Sequence, residues 1–153
     1  ATSDFVIVIL AAGKGTRLKS SLAKVLHRAG GRSLVENVVR ACQPLKPHEI
    51  VAIVGHQAED VTAAVAPLGV KTALQQPQRG TGHALLVARR AIPSRAKIVI
   101  LLPGDAPLIR TETLAAQLLN DRQTQVQLLA FGHQLIDAVD LRLQLLGLDL
   151  GRR

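Results

Sequence analysis

The chain has 153 residues, 48% of them hydrophobic and 20% charged, a balance that suits one folded domain and excludes disorder. Two Phe are the only aromatic residues and Met is absent, so the core must come from Val, Ile, Leu and Ala, and modules that stack bases on aromatic platforms are excluded. The net charge is +8, and six basic residues against Asp4 alone place +5 of it in residues 1–32; such a concentration suits a small polyanion better than a nucleic-acid duplex, which needs an extended basic stripe.

Phe5–Leu10 is a continuous, largely β-branched apolar run, the pattern of a strand buried on both faces. Extended to Ala12 it is eight residues long, lacks a basic segment before it and runs straight into Gly13-Lys14-Gly15. Neither a signal peptide nor a membrane span is expected of it. Cys42 stands alone, which permits no internal disulfide and no cysteine zinc cluster, and the cytoplasm is the expected compartment.

Ser33 followed by Glu36 has the signature of a capping box, and Leu34, Val35, Val38, Val39 and Cys42 continue at helical spacing until Pro44 and Pro47 close the helix. Glu49–Val54 reads as a second strand and Ala58–Val65 as a second helix. Val70–Leu74 is a third strand, Gly82–Ile92 a helix that stops before Pro93, and Lys97–Leu102 a fourth buried strand. Thr111–Leu119 is a further helix and Gln125–Phe131 a last strand. This alternation predicts an α/β fold: a mostly parallel, Rossmann-like sheet with helices on both faces. Residues 133–153 include the alternating run Leu141–Leu150, which fits an edge strand or a helix, and nothing in them resembles a site.

Ligands of such sheets sit beyond the carboxyl ends of the strands, where three polar loops are expected. In the first, Leu10-Ala-Ala-Gly-Lys-Gly-Thr-Arg-Leu18, the glycines at 13 and 15 let backbone N–H groups approach phosphate oxygens, while Arg17 and Lys24 supply cations. The spacing excludes a P-loop, and Leu18 stands where a dinucleotide fingerprint needs its third glycine. The second loop joins Gln75, Gln76 and Gln78, whose amides can read a base edge, to Gly80-Thr81-Gly82 opening a helix whose N-terminus favours an anion. An ordinary strand-to-helix loop with Thr81 as the cap explains the same residues. The third loop, Pro103–Leu108, sets Asp105 between Gly104 and Pro107, a position for a Mg²⁺ ligand or simply a turn aspartate. The histidines show no i,i+4 pairing, and His83 has no evident acidic partner.

Taken together and in order, Leu10–Arg17, Lys24-Val-Leu-His27, Gln75, Gly80-Thr-Gly-His-Ala84 and Gly104-Asp-Ala-Pro-Leu108 resemble the N-terminal uridylyltransferase (pyrophosphorylase) domain of the bacterial bifunctional GlmU family. The likeness covers roughly residues 5–130. It implies a fold of the nucleotide-diphospho-sugar transferase type, incomplete here because the family's domain continues beyond residue 153. Residues 1–130 would then be the nucleotide-binding part, and 131–153 a divergent tail.

The implied reaction joins UTP and N-acetylglucosamine-1-phosphate into UDP-N-acetylglucosamine and pyrophosphate. By this resemblance Leu10, Ala11, Ala12, Gly13, Gly15, Thr16 and Gly104 would meet the nucleotide, with Gln75 and Gly80 reading the uracil. Arg17 and Lys24 would be the catalytic cations on the phosphates, Thr81 would approach the nucleotide–sugar junction, and Asp105 would bind Mg²⁺. No nucleic-acid or membrane partner is implied, and a monomer is expected because the family trimerises through a domain not found in this sequence. Ala23 and Pro103 depart from the Pro and Tyr usual in the family. A non-catalytic module that binds UTP and Mg²⁺ is the alternative function.

Overall fold

The computed structural model describes residues 3–15, 19–121 and 127–130. The chain opens with β1 (Phe5–Ala11), then makes a 3₁₀ turn at Lys24–Leu26 and a small antiparallel ribbon of β2 (Arg28–Ala29) and β3 (Arg32–Ser33). The ribbon turns on Gly30 and Gly31, both in the left-handed region at φ +62° and +80°, where a side chain is strained. It was not apparent from hydrophobic periodicity, because strands of two residues have none.

From there helices and strands alternate: α1 (Leu34–Cys42), β4 (Glu49–Val54), α2 (Ala58–Val65), β5 (Lys71–Leu74), α3 (Gly80–Ala88), β6 (Ile98–Pro103), α4 (Thr111–Asp121) and β7 (Gln127–Ala130). The predicted elements are all present, with ends displaced by a few residues. The largest change is α3, which starts at Gly80 rather than Gly82 and gives way to turns after Ala88. The outer residues of the predicted last strand and the tail after Ala130 lie outside the described residues.

The five long strands form one parallel sheet in the order β5-β4-β1-β6-β7. β1 lies at its centre, with Ile9 in register with Ala52 on one side and Leu102 on the other. Because successive side chains point to opposite faces, Phe5, Ile7, Ile9 and Ala11 enter one core with α1, α2 and α4, while Val6 and Val8 enter the other with α3. Each fully buried aliphatic side chain contributes about 1.5–3 kcal/mol. The two-sided burial accounts for the unbroken apolar runs of β1, β4 and β6. No helix among the described residues is long and apolar enough to cross a membrane.

α1 starts as its sequence requires. The Glu36 amide donates to Ser33 Oγ (3.3 Å), while the Ser33 amide and hydroxyl donate to Glu36 Oε2 (2.8 and 2.6 Å). The Thr111 hydroxyl donates to the Ala41 carbonyl (2.8 Å) and ties α4 to the end of α1.

Candidate functional site

From central β1 the chain travels to β4 on one side, whereas β6 lies on the other. The loops that follow β1 and β6 therefore part company, leaving a crevice at the carboxyl edge of the sheet, where α/β sheets bind ligands. A cavity of about 410 Å³ occupies that place, within the range of small-molecule sites. Leu10, Ala12 and Pro103 form its base, Gly13, Gly15, Lys24 and Val25 one wall, and Gln75, Gln78, Gly80, Thr81 and Ala84 the other, with Asp105 beside Lys24.

Two glycines set the charged pair. A Cβ on Gly104 would lie 2.7 Å from the Leu10 carbonyl oxygen, to which the Gly104 amide donates (2.8 Å), so this residue can cross the end of β1 only without a side chain. Asp105 is thereby held over the β1 terminus. Gly15 has φ +67°, and a Cβ there would lie 2.6 Å from that of Lys24, so the loop folds directly onto the lysine. Lys24 also begins the 3₁₀ turn, and the amide of buried Ala23 donates to Gln57 Oε1. With both side chains so placed, Lys24 Nζ forms an ion pair with Asp105 Oδ2.

The opposite wall is the first turn of α3. Arg79 occupies the N-cap position without a side-chain hydrogen bond, and the first turn contains no acidic residue. Its free amides and the positive end of the helix dipole thus remain for an anion. Thr81 lies inside this turn and is not its cap, which corrects the capping explanation of that residue.

Gln75 is only 4% exposed. Its amide prolongs β5 by donating to the Val54 carbonyl (2.8 Å), while its side-chain Nε2 lies 2.9 Å from the Gly80 carbonyl and 3.2 Å from His83 Nδ1. It joins the β5 terminus to the start of α3 and still reaches the cavity.

Of the residues expected from sequence, Leu10, Ala12, Gly13, Gly15, Lys24, Gln75, Gly80, Thr81 and Asp105 line one cavity. Ala11 and Gly104 do not. The Ala11 side chain is buried in the core with α1, α2 and α4, on the far side of the strand, and Gly104 serves to let the chain pass Leu10. Thr16 and Arg17 lie outside the described residues. Gln78, one of the amides expected to read a base edge, also lines the cavity, and Val25, Ala84 and Pro103 are lining residues to which no role was assigned from sequence. Gln78 comes there because Gly55 leaves it room: a Cβ on Gly55 would lie 2.6 Å from Gln78 Nε2.

Among the described residues no group of three or more His, Cys, Asp or Glu converges on a point. Asp105 instead offers a single, partly exposed carboxylate in a cavity whose other walls suit phosphate. That donor set fits Mg²⁺, which commonly takes one or two carboxylates and completes its shell with water and substrate phosphates.

Comparison with known proteins identifies the family of the fold. Residues 7–136 match the MobA-like NTP transferase domain family. The bifunctional protein GlmU of Solibacter usitatus is 50% identical over 109 residues, covering 71% of this chain and 23% of the relative. That of Trichormus variabilis is 47% identical over 119 residues, covering 78% and 26%. The chain thus spans about a quarter of the length of these relatives. Among solved structures, a nucleotidyl transferase from Methanothermobacter thermautotroptrophicus superimposes with a TM-score of 0.64 at 25% identity, covering 73% of this chain and 55% of that one. A CMP:2-keto-3-deoxy-manno-octonic acid synthetase complexed with CTP gives 0.64 at 26% identity, covering 78% and 48%.

Proposed function

Because the chain belongs to the MobA-like NTP transferase domain family, we propose that its cavity binds UTP with Mg²⁺ and serves uridylyl transfer to N-acetylglucosamine-1-phosphate. The observation that carries this reading is the meeting, in one cavity, of the Lys24–Asp105 pair, the uncapped N-terminus of α3 and the buried Gln75 amide. The cation, the carboxylate and the side-chain amide match the phosphates, the metal and the base of a nucleoside triphosphate respectively.

The choice of uracil rests on the resemblance to the GlmU family, and the hydrogen bonding of Gln75 suits it. The Gly80 carbonyl can only accept, so the Gln75 atom facing it is the amide nitrogen. The carbonyl oxygen of Gln75 remains as an acceptor for a base N–H; set opposite ring position 3 it would meet an N–H in uracil and a lone pair in cytosine. The sugar phosphate rests likewise on the resemblance to the GlmU family and on the GlmU relatives.

In the proposed reaction a phosphate oxygen of the sugar-1-phosphate bonds to the α-phosphorus of UTP while the bond to the pyrophosphate oxygen breaks. The chain contributes position and charge rather than a strong base. Lys24 would turn its ammonium from Asp105 to the phosphates, Arg17 would add a second cation, and the first amides of α3 would hold phosphate oxygens near Thr81. Asp105 would hold Mg²⁺, whose bound charge offsets that building up on the departing pyrophosphate.

Isothermal titration of UTP in the presence of Mg²⁺ tests the binding, and a pyrophosphate-release assay with N-acetylglucosamine-1-phosphate tests the chemistry. Saturable, Mg²⁺-dependent UTP binding is expected. Folded protein that takes up no UTP would overturn the reading.

A further inference from the structure

We infer that His83 is a positioning residue for base recognition, its Nδ1 holding the Gln75 amide so that the Gln75 carbonyl faces the bound base; the inference rests on the uridine-nucleotide reading above. Gln75 is buried at 4% exposure, and Nε2 lies 2.9 Å from the Gly80 carbonyl and 3.2 Å from His83 Nδ1. The Gly80 contact alone identifies that atom as nitrogen, since a carbonyl oxygen cannot donate. Its second hydrogen then points to His83 Nδ1, which accepts in the tautomer that carries the ring proton on Nε2. Two acceptors, one from the backbone and one from His83, thus satisfy both amide hydrogens.

No donor among the described residues bonds Gln75 Oε1, although Gln75 lines the cavity. An amide turned by half a rotation would put oxygen against the Gly80 carbonyl and against the ring nitrogen together. His83 makes that arrangement doubly unfavourable, and so keeps the group that faces the base an acceptor. It never needs to touch the nucleotide. Its place is fixed by the fold, because it stands one helical turn from the start of α3, on the face that meets the β5 terminus.

The test measures Kd for UTP and for CTP, each with Mg²⁺, on the 153-residue chain and three variants. Asn places a side-chain oxygen near the position of Nδ1, Gln places its amide near Nε2, and Leu removes both. His83→Leu is expected to lower the UTP-over-CTP preference roughly tenfold, His83→Gln to lower it similarly, and His83→Asn to retain it. If the Leu variant fails to fold, the comparison of Asn with Gln still decides. A Leu or Gln variant with the parental preference, or equal preferences in Asn and Gln, would overturn the role of His83 while leaving the nucleotide reading intact. A parent chain that binds neither nucleotide would overturn that reading, and the inference with it.

Discussion

The ammonium of Lys24 and the carboxylate of Asp105 form an ion pair at the cavity, although they belong to loops that leave different strands in diverging directions. Each is the other's counter-charge. A nucleoside triphosphate with its metal offers a better partner to both, phosphate to the lysine and cation to the aspartate. Lys24→Ala and Asp105→Ala should each weaken UTP binding by about 1.5–3 kcal/mol in titrations with Mg²⁺. Asp105→Ala should also remove most of the Mg²⁺ dependence. The double variant should lose less than the two single losses added together, because each single change leaves the other charge without its partner.

Gly104 and Gly13 separate structural from ligand effects. Gly104→Ala brings a Cβ within 2.7 Å of the Leu10 carbonyl and 3.1 Å of Val25 Cγ1, so β1 or β6 must shift. Thermal unfolding should show a loss of about 1–3 kcal/mol, the usual cost of overpacking. Gly13→Ala meets nothing within 4 Å, lines the cavity, and should leave the melting temperature near that of the parent while lowering UTP affinity.

The capping box of α1 is remote from the cavity and supplies a pH-dependent contribution. The Ser33 hydroxyl and then its amide, both donating to the carboxylate, hold the Glu36 pKa below its ordinary value of 4.5, with Arg28 and Arg40 adding attraction against a desolvation effect that raises it. A depressed carboxylate pKa stabilises the fold above the unfolded value, and that contribution disappears as pH falls through the folded value. Ser33→Ala should cost about 0.5–2 kcal/mol at neutral pH, and the gap from the parent should narrow on acidification below 4.5, with UTP binding unchanged.

Cys42 is wholly buried on α1, and desolvation pushes its thiol up to about 12. A thiol reagent at pH 8 should therefore modify native protein far more slowly than protein in guanidinium. Equal rates in the two conditions would contradict this packing.

Much of the fold was legible in the sequence because its signals are local. The apolar runs of β1, β4 and β6 carry the pattern of strands covered on both faces, and the Ser33–Glu36 pair marks the start of α1. The ends of α3 were less legible, since Gly80-Thr-Gly has weak helical propensity and its first carbonyl bonds to Gln75, a residue outside the helix. The ribbon at Arg28–Ser33 had no periodicity to show. Residue types likewise announced phosphate, metal and base chemistry in three separate loops, and their likeness to one family supplied uracil and the sugar phosphate.

The alternation of elements and the chemical kind of each loop are written in the chain, because propensity, capping and burial patterns act between neighbouring residues. Which of those residues meet depends on how the strands and helices pack. Parallel pairing placed β6 directly beside β1, so Asp105 came to Lys24 and Gly104 became a passage past Leu10 rather than a contact in the cavity. Strand alternation turned the Ala11 side chain into the core. The crossing of α3 from β5 to β6 carried His83 to Gln75. Such pairings are set by long-range geometry, which no local window of sequence contains.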